Sequence, residues 1–206
     1  MANQLGFYYN IDDCIGCKTC IMACKDTHDL PVGTKYRRVI EYAGGTWSDK
    51  DGVPTLEGFF AYHIPTACNH CERPLCVANC PTGAMTKRDE DGVVYSDPET
   101  CIGCGTCVES CPYDVPQVRE ETGVCGKCDF CKDLMEQGED PACVASCLGR
   151  CIKFGDIDEL RAQYGDNADI KPLASSSETG PCMVINRHRL NPDDVEGTIV
   201  SPVEEL

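Results

Sequence analysis

The chain has 206 residues, a net charge of −16 and 19 cysteines, a length that fits one large or two small domains. The negative charge argues against nucleic-acid binding, which normally uses a basic face. The odd cysteine number and the chain length argue against a small secreted disulfide scaffold. The opening MANQLGFYYN predicts no signal peptide, and no apolar stretch approaches the length of a membrane-spanning helix.

Sixteen of the cysteines fall into four groups that all end in C-x3-C. Groups one and three share the spacing C-x2-C-x2-C-x3-C, and group two has two extra residues in its middle. Group four has the spacing C-x2-C-x11-C-x3-C. The groups are Cys14, Cys17, Cys20 and Cys24; Cys68, Cys71, Cys76 and Cys80; Cys101, Cys104, Cys107 and Cys111; and Cys128, Cys131, Cys143 and Cys147.

This spacing is typical of cubane iron–sulfur clusters. A tight C-x2-C-x2-C loop can reach three irons of one cluster, and the fourth cysteine, one helical turn further on, binds the neighbouring cluster, as in two-cluster ferredoxins. A zinc ion typically takes two C-x2-C pairs a dozen or more residues apart, which group four alone resembles. The sequence therefore predicts four [4Fe–4S] clusters. The alternative of a different class is a zinc-stabilised interaction module without a redox role.

Crossed ligation also predicts which groups pair. Groups two and three lie close in sequence, and the GVVYSD stretch between them (92–97) predicts a strand, as in a two-cluster ferredoxin. Groups one and four bracket this unit and pair with each other. The predicted sets are Cys68, Cys71, Cys76 and Cys111; Cys101, Cys104, Cys107 and Cys80; Cys14, Cys17, Cys20 and Cys147; and Cys128, Cys131, Cys143 and Cys24.

The predicted fold class is α+β, with two ferredoxin-like modules of which one is inserted into the other. The outer module comprises residues 1–60 and 115–165, and the inner module comprises residues 61–114. Residues 36–64 form an additional β insertion, in which YRRVIEYAGGTW and GFFAYHIP predict two strands around a connection rich in Gly and Asp. We expect this insertion to face a partner.

The chain beyond the last group predicts one helix and a tail. The stretch GDIDELRAQYG (155–165) predicts a short helix capped by Asp156. Residues 166–206 are rich in Asp, Ser, Pro and Gly. Two interpretations of this C-terminal tail are open: disorder, and a strap that docks on a partner subunit.

Several residues outside the ligand scheme need an interpretation of their own. Cys125 precedes the fourth group by the same x2 spacing and competes for a place in it, whereas Cys151 and Cys182 are expected to be plain thiols. His70, inside CNHC, is either a hydrogen-bonding neighbour of a cluster or an exposed loop histidine. No nucleophile elbow, P-loop or dinucleotide motif is present, so the chain is predicted to be non-catalytic.

With these motifs in view, the chain resembles the iron–sulfur subunit of the dimethyl sulfoxide reductase family from about residue 5 to residue 165. The family form K-C-D-x-C…P-A-C-V-x-x-C favours Cys128 and Cys131 over Cys125. Two departures are Leu148, where the family usually has proline, and Cys151, commonly alanine, which becomes an alternative ligand. The matching stretches are GFYYNIDDCIGCKTCIMACKD, YRRVIEYAGGTW, CNHCERPLCVANCPTGAMTKR, CIGCGTCVESCPYDVPQ, KCDFCKDLMEQGEDPACVASC and IKFGDIDELR.

The resemblance implies a non-catalytic electron-transfer subunit with four [4Fe–4S] clusters. Its implied partner is a large catalytic subunit with a molybdenum bis-molybdopterin guanine dinucleotide cofactor, often joined by a membrane-anchoring quinol-oxidising subunit. The expected location is a membrane-associated complex on the extracytoplasmic face, reached by export with a twin-arginine-signal partner, and the alternative is the cytoplasm. The alternative function is a polyferredoxin-type carrier of a hydrogenase or formate dehydrogenase. The substrate is bound by another chain.

Overall fold

The structure is a computed structural model that describes residues 4–200 as a mixture of short helices and strands, as predicted. The elements in chain order are β1 (Leu5–Tyr9), α1 (Thr19–Thr27), β2 (Arg38–Lys50), β3 (Val53–Thr66), α2 (Leu75–Ala78), β4 (Met85–Lys87), β5 (Val94–Ser96), α3 (Thr106–Glu109), β6 (Gln117–Val118), β7 (Cys125–Gly126), α4 (Lys132–Glu136), α5 (Ala142–Ala145), β8 (Ile152–Asp156), α6 (Ile157–Tyr164), β9 (Met183–Ile185) and β10 (Thr198–Ile199). The longest helix, α1, has nine residues. None of the helices in this described range has the length and apolar character needed to cross a bilayer.

The central sheet joins three distant parts of the chain. Strand β1 lies in the middle, with β8 antiparallel on one side and β9 parallel on the other. A side chain at Gly6 would meet the Cys182 carbonyl oxygen and the Ile157 Cδ1 atom, both 2.6 Å from its Cβ position. Glycine therefore lets β1 lie closely against its neighbours.

The C-terminal segment is part of this sheet, because Met183–Ile185 is the strand β9. Strand β10 pairs with β2 in a second sheet, so the segment 166–200 packs on its own chain at two places. The interpretation of disorder is wrong for these residues. Contact of the tail with a partner stays a prediction, and its last residues, 201–206, lie outside the described range.

The predicted β insertion is a long antiparallel hairpin of β2 and β3. Its strands extend through most of the predicted connection, which shrinks to Asp51 and Gly52. These residues have φ angles of 57° and 80°, as a two-residue Asp-Gly hairpin turn requires. A register shift between Gly44 and Thr46 marks a bulge. The chain adopts strand where the composition predicted a loop because the Asp-Gly turn sets the pairing register for both long strands.

Two further sequence predictions are confirmed. The GVVYSD stretch contains β5, which pairs with β4. Helix α6 begins after Asp156, whose side chain accepts hydrogen bonds from the backbone N–H groups of Asp158 and Glu159. These bonds satisfy two of the donors that a helix start leaves open.

The main hydrophobic core connects the central sheet with the cysteine loops. Phe7 of β1 is fully buried, and its ring stacks on Phe130 with the ring centroids 4.2 Å apart.

We expect Phe7→Ala to lower the free energy of unfolding by about 3–5 kcal/mol, since it removes a large buried ring and leaves a cavity. Anaerobic urea unfolding measures this. The control Phe59→Ala removes a ring that is 54% exposed and should change it by less than about 0.5 kcal/mol. Equal losses in the two variants would contradict the expected role of the Phe7 ring.

Candidate metal centre

The first half of every cysteine group has the same backbone conformation. In each C-x-x-C, the residue directly before the second cysteine has a positive φ. This turn places two successive cysteines around one loop. Glycine takes this conformation without strain, whereas a histidine or a phenylalanine needs strong surrounding contacts to hold it. The four residues are Gly16 (67°), His70 (43°), Gly103 (66°) and Phe130 (66°).

The two strained residues support each other at the centre of the protein. The rings of His70 and Phe130 are buried, and their centroids lie 4.5 Å apart. His70 Nδ1 accepts a hydrogen bond of 2.9 Å from the backbone N–H of Val94. Burial holds the pKa of His70 well below its ordinary value, and the positive charges of Lys127, Lys87 and Arg37 add to this. The interpretation of His70 as an exposed loop residue is wrong.

The second half of each group is a short helix, and these helices pack in two pairs. Helix α1, which carries Cys20 and Cys24, contacts α5, which carries Cys143. Helix α2, with Cys76, contacts α3, with Cys107. Group one therefore lies beside group four, and group two lies beside group three.

A small cavity lies between groups one and four. Three cysteines of group one and only the last cysteine of group four line it. These are Cys14, Cys17, Cys20 and Cys147, with Cys151 as an additional neighbour. Cys24 does not line this cavity, which is the arrangement expected of crossed ligation.

An equivalent small cavity lies between groups two and three. Its cysteines are Cys101, Cys104, Cys107 and Cys80, with Cys125 as the additional neighbour. Within residues 4–200, no three His, Cys, Asp or Glu side chains converge closely enough to share one metal ion. The thiols surround a volume instead of a point.

Six of the remaining eight cysteines of the groups are buried, and mutual electrostatic effects connect the eight within two sets, called the deep sets below. Charges on Cys68 and Cys71 both act on Cys76, as does a charge on Cys111. Charges on Cys24 and Cys143 act on Cys128, and Cys24 is in turn affected by Cys131. Cys68 also acts on Cys128, so the two deep sets are neighbours.

Burial makes thiolates costly at these positions. It raises the pKa of Cys20 and Cys131 to about 11, and that of Cys24, Cys71 and Cys76 to about 12. A thiolate here needs a nearby positive charge, and bound iron supplies one. Soft sulfur donors around a cavity suit an iron–sulfur core.

The three cysteines outside the groups each lie beside a different predicted set. Cys125 Sγ is 3.3 Å from Cys107 Sγ, so Cys125 belongs spatially with group three and not with group four. Cys151 Sγ is 3.4 Å from Cys147 Sγ. Cys182 is buried, and a charge on its sulfur raises the pKa of Cys71. The spacing alone did not predict these positions.

The spacing of the cysteines does not predict two further contacts with cysteine sulfur. His28 Nε2 lies 3.4 Å from Cys131 Sγ. Thr179 Oγ1 lies 3.1 Å from Cys71 Sγ, so the C-terminal segment reaches a predicted ligand. Both residues come from segments that only the folded chain brings to the loops.

Comparisons with known proteins identify the type of cluster that this chain binds. A 4Fe-4S dicluster domain family matches residues 59–157, and a second 4Fe-4S dicluster domain family matches residues 10–84. Two dicluster domains account for four [4Fe–4S] clusters, which confirms the predicted cofactor. The two matches overlap and together cover residues 10–157.

The relatives of this chain are subunits of reductases. The chain is 45% identical to the iron–sulfur subunit of the anaerobic dimethyl sulfoxide reductase of Escherichia coli (strain K12), over 99% of this chain and 100% of that protein. It is 37% identical to the thiosulfate reductase electron transfer subunit of Salmonella typhi, over 79% of this chain and 81% of that protein. It is 38% identical to a tetrathionate reductase subunit of Salmonella typhimurium (strain LT2), over 82% of this chain and 66% of that protein.

Proposed function

Because this chain belongs to the family of iron–sulfur electron-transfer subunits that serve anaerobic dimethyl sulfoxide reductases, we propose that its four clusters form one linear electron relay. The observation that best supports this proposal is the pair of cavities. Each cavity is lined by three cysteines of one group and the last cysteine of another. The proposed ligand sets are the four crossed sets predicted from the spacing, which place the module of groups two and three inside the module of groups one and four.

The proposed order of the clusters in the relay follows the helices that the ligand sets share and the ring contact between the two deep sets. The two sets of the outer module share α1 and α5, and the two sets of the inner module share α2 and α3. His70 and Phe130 join the two deep sets across the centre. The relay then runs from the Cys14–Cys20 loop, through the Cys128 set and the Cys68 set, to the Cys101–Cys107 loop.

The two ends of this relay lie at the protein surface. Cys17 and Cys104 are exposed, and so are Ile15 and Ile102, at 71% and 67%. The buried His70 and Phe130 rings lie between the two deep sets. When bound, each cluster takes up and releases one electron at a time, at a potential that hydrogen bonds, charge and burial adjust. The exposed ends are where electrons enter and leave.

The reductases of the relatives imply that this chain works with a catalytic subunit. We propose that this subunit carries a molybdenum bis-molybdopterin cofactor and that a membrane-anchoring subunit supplies electrons from quinol on the extracytoplasmic face. The outer part of the β2–β3 hairpin is the proposed contact with the catalytic subunit. Trp47 and Phe59 expose apolar rings there, at 71% and 54%.

The test uses the anaerobically purified full chain with and without its catalytic subunit. We expect about sixteen iron and about sixteen sulfide per chain, and a broad visible absorption that bleaches on reduction. The reduced chain should be reoxidised by dimethyl sulfoxide, thiosulfate or tetrathionate only when the catalytic subunit is present. A colourless zinc protein, or equal reoxidation by the chain alone, would contradict the proposal.

A further inference from the structure

Two cations are buried in the interior of this acidic protein. Arg37 is 1% exposed and Lys127 is 4% exposed. The ion pairs found within residues 4–200 include neither of them. A buried charge without a counter-charge costs several kcal/mol even after relaxation, so their position needs an explanation.

Neutral groups stabilise Arg37 only in part. Its Nη1 donates a hydrogen bond of 2.6 Å to the Pro65 carbonyl oxygen. The guanidinium carbon lies 4.9 Å from the centre of the Phe7 ring and 5.5 Å from that of the Tyr9 ring. Its Nη2 has no hydrogen-bond partner within the described part of the chain. None of these contacts carries a negative charge.

Cysteines of two proposed sets supply the missing negative charge at Arg37. Its acceptor Pro65 lines the cavity of the Cys20 set, and the Phe7 ring beside it stacks on Phe130, the neighbour of Cys131 in the other set. Burial alone would lower the pKa of the guanidinium, but negative charges at Cys143, Cys20 and Cys128 raise it well above its ordinary value. Cys20 belongs to one proposed ligand set of groups one and four, and Cys128 and Cys143 belong to the other. Arg37 therefore lies between the two outer-module sets.

Lys127 has the equivalent position for the inner module. Its Nζ donates to the backbone carbonyl oxygens of Val94 and Cys128, which are both neutral. Val94 packs in one apolar cluster with Cys76 and Cys107, which belong to the two inner-module sets, so Lys127 lies beside both sets. In agreement with this position, burial raises the pKa of Cys76 and the positive charge of Lys127 opposes the rise. The hydrogen bond between Cys107 and Cys125 lowers the pKa of Cys107, and the Lys127 charge lowers it further.

We propose that Arg37 and Lys127 are fixed counter-charges inside the relay, Arg37 for the two outer-module clusters and Lys127 for the two inner-module clusters. The proposal rests on the proposed ligand sets. Four thiolates around a 2+ core leave a net charge of about −2, and reduction adds one more negative charge. A fixed neighbouring cation stabilises the reduced form more than the oxidised form and raises the reduction potential.

The experiment is a redox titration of the iron-loaded full chain, followed by electron paramagnetic resonance. In Arg37→Gln, two of the four cluster signals should shift to lower potential, and in Lys127→Gln the other two should shift. We expect about a tenfold change in the reduced-to-oxidised ratio at the wild-type midpoint, equivalent to about 59 mV for a one-electron couple.

Three control variants separate the charge from packing. Arg37→Lys and Lys127→Arg keep the charge and should restore the wild-type midpoints of the affected pair. Lys50→Gln removes a cation from the exposed tip of the hairpin, where its side chain is 61% exposed, and should shift none of the four signals. Shifts of the same clusters in Arg37→Gln and Lys127→Gln, or unchanged potentials in both, would overturn the proposal.

Iron analysis distinguishes a failure of this proposal from a failure of the relay itself. A wild-type chain without about sixteen iron would refute the proposed ligand sets before any potential is measured. If Arg37→Gln loses iron, the Arg37→Lys variant distinguishes a role of the charge from a role in packing. Wild-type iron content and potentials in Arg37→Lys support the counter-charge, and iron loss there too assigns Arg37 a packing role and overturns it.

Discussion

The double variant Cys24→Ser/Cys131→Ser is expected to lose one cluster and keep three intact, with about twelve iron remaining per chain. The reason is that crossed ligation assigns both cysteines to the same set, although Cys24 belongs to group one of the sequence and Cys131 to group four. A cluster that lacks two of its four thiolates is not retained. Iron analysis and the number of unperturbed paramagnetic signals measure the outcome.

The matched variant Cys20→Ser/Cys24→Ser removes the same number of thiols from a single helix. Crossed ligation assigns these two cysteines to different sets, so two clusters each lose one ligand and only two clusters stay unperturbed. If each sequence group instead held its own cluster, the two variants would exchange their results. The comparison therefore tests the pairing of the groups without depending on how a three-thiolate cluster behaves.

Removal of iron under reducing conditions is expected to unfold most of the chain. Nine of the sixteen predicted ligands are buried, so their thiols are part of the interior that the clusters fill. Helices α2, α3 and α5 have four residues each, and helices shorter than about 12 residues are marginal by themselves. Metal binding is then a large part of the folding free energy.

Circular dichroism and anaerobic urea unfolding measure this effect. We expect the free energy of unfolding to fall from the ordinary range of about 5–15 kcal/mol to near zero. A thiol reductant must be present throughout, so that new disulfides do not replace the clusters as cross-links. Added iron and sulfide should restore cooperative unfolding. An iron-free chain that unfolds with the same midpoint as the loaded chain would contradict the prediction.

Local patterns were sufficient for the features that depend on neighbouring residues. The four groups, the strand in GVVYSD and the cap at Asp156 were predicted because spacing and propensity act within one helical turn or one strand. The resemblance to a reductase subunit rested on such local stretches too, and the full-length relatives confirm it. The number of clusters followed from the same spacing.

Long-range contacts decided the rest. The sequence of 166–206 shows little hydrophobic periodicity, yet part of this segment pairs with β1 and another part with β2. It forms strands because partners elsewhere in the chain supply its hydrogen bonds. The same holds for Cys125, whose sequence position favours group four but whose sulfur lies beside Cys107. A two-residue spacing cannot say on which side of a loop a thiol lies.

The sequence by itself determined the chemistry of this protein: sixteen thiols in four groups of a spacing that suits cubane clusters and little else. Only the tertiary structure decided the electrostatic surroundings of those thiols. Arg37 and Lys127 look like ordinary surface cations in a chain of charge −16. Burial between the cysteine sets makes them different, since a charge interacts strongly with its neighbours only where water is excluded, and exclusion of water is a property of the folded chain.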